Sequence, residues 1–313
     1  MFIITTAERS EHIMSEMKRN LEWVNRISGM AIIDSEMVGQ VIDNVPVAAT
    51  RDDMVDYIKG QVIDEVFIDI PHAKSRELTP LVMELENMGV SNIITIDAHD
   101  PRVQNSIRIG FESVAPTYQM IKAIAKSLNN DIKFTPENTM MISPDEGGMG
   151  RCVYYSQVLG VQLGMFYKRR DFSRIVDGRN PIVSHEFLGD NGEGKDVIVV
   201  DDMISSGDSM IDVCKQLKNL NARRIFVFSS FGLFSSGLER FDDAFKEGIF
   251  DRIFTTNLIY QTPELLTKEW YYSVDMSKYV ALIVDTLNHD KSVSQFLNPI
   301  QKINDYVEKY NLK

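Results

Sequence analysis

The run IVVDDMISSGDSMIDVCKQL, Ile198 to Leu217, decides how this chain is read. Its apolar start, Val197 to Val200, predicts a buried strand with two carboxylates, Asp201 and Asp202, at the carboxyl end. A loop of small residues follows: Ser205, Ser206, Gly207, Asp208 and Ser209. An amphipathic helix comes next, with Met210, Val213, Leu217 and Leu220 on one face. Strand, small-residue loop and helix N-terminus together make a phosphate cradle. Loop amides point inward, hydroxyls donate, and the helix dipole favours an anion. The acid pair adds groups able to grip sugar hydroxyls, or a cation bridging to them. Adjacent carboxylates repel each other, which makes them hard to explain as packing. A phosphorylated ribose suits both halves, a strand-loop-helix unit that binds nothing being the competing reading.

The bulk properties narrow the setting. With 313 residues the chain can form two domains of ordinary size, and 44% apolar residues allow a sizeable core. A net charge of −12 argues against a nucleic-acid surface or an anionic membrane. Cys152 and Cys214 each fall in an expected helix, which predicts buried thiols in a reducing compartment. No apolar run approaches the roughly 20 residues of a membrane span. The N-terminal MFIITTAERSEHI carries acids early and lacks a signal-peptide pattern, so a cytoplasmic protein is expected.

Strands and helices alternate along the whole chain, the pattern of parallel sheets covered by helices on both faces. Strands are expected at 2–5, 29–33, 66–70, 91–97, 139–143, 164–167, 198–200, 224–229 and 252–255. Helices are expected at 7–21, 52–59, 79–88, 117–128, 150–160, 286–296 and over the last dozen residues. The polar stretch Asp131 to Asn138, with Pro136, is the weakest junction. It divides the chain into an N-terminal α/β lobe (1–135) and a second lobe (136–313).

Ligands in such sheets sit outside the carboxyl ends of the strands, and three further strand ends carry unusual chemistry. Ile96-Asp97-Ala98-His99-Asp100-Pro101 offers an imidazole between acids, able to hold a divalent cation or simply to bond Asp100. Ser143-Pro144-Asp145-Glu146-Gly147-Gly148-Met149-Gly150-Arg151 opens a helix with successive amides suited to a diphosphate, Arg151 adding charge and Asp145 a metal ligand. A plain tight turn is the competing reading. Tyr167-Lys168-Arg169-Arg170 starts a long polar stretch to Lys195 that reads as a mobile hairpin or lid, or as a solvated charged turn.

These segments, in this order, resemble the ribose-phosphate diphosphokinases (PRPP synthetases) from about residue 72 to the end. DDMISSGDS is similar to their ribose-5-phosphate loop, usually written DDxxxTGxT, with Asp208 where Gly is usual. SPDEGGMGR resembles their pyrophosphate loop, IDAHDPRVQ their metal-binding segment through His99, and YKRR the start of their catalytic loop through Lys168 and Arg170. FGLFSSG and VDTLNHDKSVSQFL match two later segments, with Phe231 where His is common. Residues 1–71 lack the family's adenine-contacting motifs. They are similar instead, more weakly, to the nucleotide-binding-like region of polyprenyl sugar-phosphate transferases.

The resemblance implies an α/β protein of two lobes with parallel sheets, the second of the type I phosphoribosyltransferase type. It implies transfer of the diphosphate of ATP to the 1-hydroxyl of ribose 5-phosphate, with Mg²⁺ as cofactor and a homo-oligomeric assembly. On this reading Lys168 and Arg170 are catalytic. Asp201, Asp202, Ser205, Ser206, Gly207, Asp208 and Ser209 hold ribose 5-phosphate. Asp145, Glu146, Gly147, Gly148 and Arg151 hold the diphosphate of ATP, and His99 with Asp145 binds the metal. Small molecules, rather than nucleic acid or membrane, are the expected partners. Two alternatives stay open: a non-catalytic regulatory relative, and a phosphoribosyltransferase that consumes PRPP.

Overall fold

The computed structural model describes residues 1–18, 27–63, 66–70, 80–84, 92–170, 182–190, 192–289 and 291–312. The chain divides into two compact units. One comprises Met1–Thr95 and Asp100–Ser113, the other Ile96–His99 and Val114–Lys313.

The first unit contains β1 (Phe2–Thr5), α1 (Ala7–Lys18), β2 (Gly29–Ile32), β3 (Val41–Ile42), β4 (Val45–Thr50), α2 (Met54–Lys59) and β5 (Val66–Asp69). The sheet order is β3-β4-β2-β1-β5. β1, β2, β4 and β5 run parallel, and β3 turns back along β4. Alternation along β1 explains the two buried faces. Ile3 packs with Met30, Ile32 and the α1 residues Ile13 and Met14. Phe2 and Ile4 pack with Ala31, Ala49 and the α2 residues Met54 and Ile58. β6 (Asn92–Ile96) and β7 (Gly110–Val114) form a two-stranded sheet, with a 3₁₀ turn at Pro101–Ser106 between them.

The second unit is a doubly wound α/β domain. In chain order it contains α3 (Thr117–Ser127), β8 (Thr139–Ser143), α4 (Met149–Leu159), β9 (Gln162–Arg170), β10 (Ile182–Gly189), β11 (Asp196–Ile204), α5 (Asp208–Asn219), β12 (Arg224–Gly232), α6 (Glu239–Lys246), β13 (Arg252–Thr256), α7 (Pro263–Leu266), β14 (Tyr271–Val274), α8 (Ser277–Asn288), α9 (Ser294–Leu297) and α10 (Ile300–Lys309). The sheet order is β10-β9-β8-β11-β12-β13-β14, all parallel except the β9–β10 pair. Ile198 and Val200 face a core built with α3, α4 and α10. Val197 and Val199 face a second core built with α5 and α6. Helices on both faces explain why these strands read as unbroken apolar runs.

From β8 the winding goes one way to β9, and from β11 the other way to β12. The boundary between β8 and β11 is therefore the topological switch point, where the strands' carboxyl ends open a crevice. The register shows that opening. β11 pairs with β8 only from Asp196↔Thr139 to Val199↔Ile142, yet stays paired with β12 as far as Ile204↔Gly232.

Several expectations need correction. The strand of the opening motif runs through the acid pair to Ile204, because β12 goes on pairing with it after β8 has parted. The junction placed at Asp131–Asn138 is no linker. Ile132 and Phe134 are buried in the second unit's core, the Phe134 amide donates to the Leu312 carbonyl at 2.6 Å, and Asp131 accepts from Arg224. α3, placed by the 1–135 boundary in the first lobe, packs through Met120, Ile121 and Ile124 into that same core, so the units part at Ser113/Val114. The helix expected at 286–296 is α8, which ends at Asn288, and the separate short α9. Leu220 is 41% exposed and caps α5, so the buried α5 face is Met210, Ile211, Val213, Cys214 and Leu217.

Because Phe134 is 1% exposed, Phe134→Ala should cost about 3–5 kcal/mol by chemical denaturation. A loss below about 0.5 kcal/mol, the surface value, would return the segment to linker status.

Candidate active site

Both loops leaving the switch point are built for close approach. After β8 the chain turns at Pro144, and the Asp145 carboxylate accepts from the Gly147 and Gly148 amides at 3.0 and 3.3 Å. The Ser143 hydroxyl donates to the Asp145 carbonyl at 2.6 Å. A Cβ on Gly148 would lie 2.8 Å from Ser143 Oγ and 3.3 Å from the Val200 carbonyl, so the turn sits directly against β11. α4 starts here, with Gly148 as its N-cap.

After β11 the loop 205–209 leads into α5. Gly207 has φ +87°, and an added Cβ would collide with the Phe241 ring. Glycine is required on both counts. The next connection, after β12, braces this loop. Leu233 and Ser235 donate their amides to the Ile204 and Ser205 carbonyls at 2.8 and 3.1 Å, and Ser205 Oγ lies 3.2 Å from Ser235 Oγ. Ser206 Oγ donates to Asp208 Oδ2 at 2.9 Å, and Arg240 is ion-paired with Asp208 Oδ1. Ser209 lies exposed in the first turn of α5.

The third loop, Asp97 to His99, is drawn to the same place. Arg151 on α4 donates to Asp97 Oδ1 at 2.7 Å and to the Ala98 carbonyl at 2.9 Å. Its Nη2 also lies 3.8 Å from Asp202 Oδ2. His99 Nδ1 stands 2.5 Å from the same oxygen, Asp202 Oδ2, with the imidazole largely exposed. The Ser230 hydroxyl, from the end of β12, donates to Asp97 Oδ2. Asp97 holds φ +47°, an uncommon value for a residue with a side chain. Loop, α4, β11 and β12 are thus knitted into one polar network.

The two β11 acids diverge electrostatically. Burial, the hydrogen bond with Asp202, and the Asp202 and Asp145 charges push the Asp201 carboxyl well above the ordinary carboxylate range. Burial also works against Asp202, but the His99 hydrogen bond and the Arg151 charge outweigh it and hold Asp202 below that range. Burial opposes the Arg151 charge too, and Asp97 and Asp202 more than restore it.

Residues 112–239 match the family model of the phosphoribosyl transferase domain. Residues 2–96 match that of a CoA-binding domain. The ribose-phosphate pyrophosphokinase of Vibrio parahaemolyticus is 24% identical over 216 residues, 68% of this chain and 63% of that protein. The enzyme of the same name from Mycoplasmopsis pulmonis is 27% identical over 215 residues, 67% and 60% of the two chains. The phosphoribosylpyrophosphate synthetase of Mycobacterium smegmatis has the same fold, with TM-score 0.64 at 15% identity over 92% of this chain and 99% of that one. The chain is similar in sequence to the ribose-phosphate pyrophosphokinases. Its match spans slightly under two thirds of the first relatives' length, and the phosphoribosyl transferase domain match falls mostly in the second unit.

The residues singled out from sequence fall as follows. His99, Arg151 and Asp202 come together. Asp145 holds its own turn and adds charge beside Asp201. Glu146 and Gly147 are exposed on that turn. Arg151, expected to meet an anion, spends its guanidinium on Asp97 and the 97–99 loop, and so acts as a strut. Lys168 and Arg170 occupy alternate positions in β9, Lys168 opposite His185 and Arg170 opposite Ile182 of β10. Their side chains and residues 171–181 lie outside what is described. The sequence offers Asp97 as an acid beside His99 but not its bond from Ser230. Their contact joins residues far apart in the chain, and nothing local signals it.

A carboxyl raised in the folded state holds a proton that the unfolded chain releases, so its stabilising effect is lost as pH rises. Without divalent cation, Asp201→Asn should therefore melt higher than the parent by a margin that grows from about pH 4 towards neutrality. A constant or shrinking margin in a thermal melt series would contradict the raised Asp201 value.

Proposed function

We propose that the second unit carries out ribose-phosphate diphosphokinase chemistry, moving the diphosphate of ATP to the 1-hydroxyl of ribose 5-phosphate and leaving AMP. One observation carries this reading. The two glycine-bearing turns and the His99 loop meet at a single switch point, with the acid pair of β11 between them. Diphosphoryl transfer needs positioning and charge compensation more than covalent chemistry.

In this reading the 205–209 loop and the start of α5 seat the 5-phosphate. Asp201 and Asp202 orient the ribose hydroxyls, and the 145–148 turn offers its backbone to the diphosphate. Lys168 and Arg170 offset charge developing on the transferred group. Among the described residues no three His, Cys, Asp or Glu side chains form a metal cage. Mg²⁺ is commonly held by one or two carboxylates together with substrate phosphates. Asp145, the β11 acids and His99 would supply the protein's share, and the ion would neutralise phosphate charge. A cytoplasmic enzyme acting on small molecules is the setting of this reading, and the similarity to the pyrophosphokinases favours a homo-oligomer; among the described residues no helix is long and apolar enough to cross a membrane.

One finding favours the regulatory alternative: residues 2–96 match a CoA-binding domain, a different family model from that of the second unit. The first unit does not fit a phosphorylated cofactor at its β1–α1 turn. Thr5-Thr6-Ala7 offers no glycine there, and Asp34 Oδ1 already takes the Ala7 amide at 2.8 Å. Asp69 holds the Arg9 guanidinium at 2.8 and 2.6 Å, and Glu8 adds negative charge to the first helical turn. Carboxylates fill the place where a phosphate would go.

Incubation with ATP, Mg²⁺ and ribose 5-phosphate should release AMP in step with consumption of the sugar phosphate. Ribose 5-phosphate binding without AMP release would establish the regulatory reading instead. Pyrophosphate release from PRPP with a nucleobase would establish a phosphoribosyltransferase. For an active protein, Lys168→Ala should lower kcat by about 10²-fold or more with KM changed far less. Equal losses in both would remove Lys168 from the transition state.

A further inference from the structure

Asp208 is out of place in a phosphate cradle. It follows the N-cap Gly207 and stands in the first turn of α5, where helix amides attract an anion and a carboxylate competes for the same field. Its carboxylate has already taken a loop hydroxyl, that of Ser206, at 2.9 Å. Among the described residues Arg240 is the one cation ion-paired within the 205–209 loop, through Nη1 to Asp208 Oδ1.

The placement of Arg240 is fixed by packing. Its neighbour Phe241 is fully buried beneath Gly207 and meets Phe234 and Trp270 at ring distances of 5.0 and 5.5 Å. The Ser235 amide ties the preceding turn to the Ser205 carbonyl at 3.1 Å. The loop and the start of α6 therefore form one rigid piece, with Arg240 at its edge, 37% exposed.

We propose that Arg240 is a substrate-positioning cation of this loop, paired with Asp208 so that an acid at the head of α5 can coexist with a bound phosphate. The proposal rests on reading the loop as the seat of ribose 5-phosphate. A guanidinium has five N–H donors in a fixed fork, so it can keep one on Asp208 and offer another to a phosphate oxygen. The Ser206 hydroxyl is then released from Asp208 to the ligand. Without Arg240, the Asp208 carboxylate faces the incoming dianion uncompensated.

Calorimetric titration of the full chain with ribose 5-phosphate tests this. Arg240→Gln should weaken binding about tenfold and Arg240→Lys about twofold, a tenfold loss being about 1.4 kcal/mol. Asp208→Asn should bind at least as tightly as the parent, and in that background Arg240→Gln should cost about threefold or less, because the charge it answers is gone. A merely structural Arg240 would weaken binding equally in both backgrounds, which overturns the proposal, as does an Arg240→Gln protein that binds like the parent. If Arg240→Gln does not fold, Asp208→Asn decides alone, and weaker binding by it overturns the proposal. A folded parent that gives no heat with ribose 5-phosphate overturns the loop reading itself, and this inference with it.

Discussion

The guanidinium of Arg151 is the contact on which the site depends. It sits on the helix that follows β8 and reaches the Asp97 carboxylate, the 97–99 backbone and the edge of Asp202. Asp97 takes a second partner from the end of β12, and Asp202 a second from His99. Remove this cation and three carboxylates, Asp97, Asp201 and Asp202, share a partly buried crevice with the Ser230 hydroxyl and the His99 imidazole left to answer them. A lost partner in such a place costs far more than the pair gains when intact. The strained backbone of Asp97 is held in the same way, by bonds made from three different elements.

That electrostatic balance bears on how an acidic protein could take a polyanion. The chain carries a net charge of −12, and the cation at the heart of the crevice is already committed. Under the proposed function, positive charge for a sugar phosphate and a triphosphate would come from the edges. Backbone amides at two helix starts would provide part of it. Under the proposed function the Lys168–Arg170 strand end and a divalent ion provide the rest. The acid pair of β11 fits this division, since one member is held ionised while its neighbour is pushed towards its protonated form. A cation or a set of sugar hydroxyls would relieve the pair.

The first unit shows how far a shared fold can part from shared chemistry. Its strand order places β1 between strands that wind in opposite directions, the arrangement that elsewhere makes a nucleotide crevice. Here Asp34 takes the Ala7 amide and Asp69 holds Arg9 around the first helical turn, and the Thr5-Thr6-Ala7 turn carries no glycine. Function cannot be carried from fold to site in such a case.

Much of the second unit was legible in the chain itself. The unbroken apolar run Val197–Val200, the acids after it and the small-residue loop before an amphipathic helix determine a parallel strand, its turn and α5. These are local effects of side-chain period, backbone freedom and helix start. The glycines at 147, 148 and 207 were legible for the same reason. What the sequence could not fix is which strand ends meet, because the pairing of β8 with β11 and the Asp97–Ser230 bond join residues distant in the chain. The reach of β11 to Ile204 depended on β12 as a neighbour, and the place of residues 131–138 on a core built by α3, α4 and α10. The chain alone set the local chemistry of each turn. The packing of the sheet decided which turns share a crevice, and therefore that Arg151 is a strut while Asp202 faces His99.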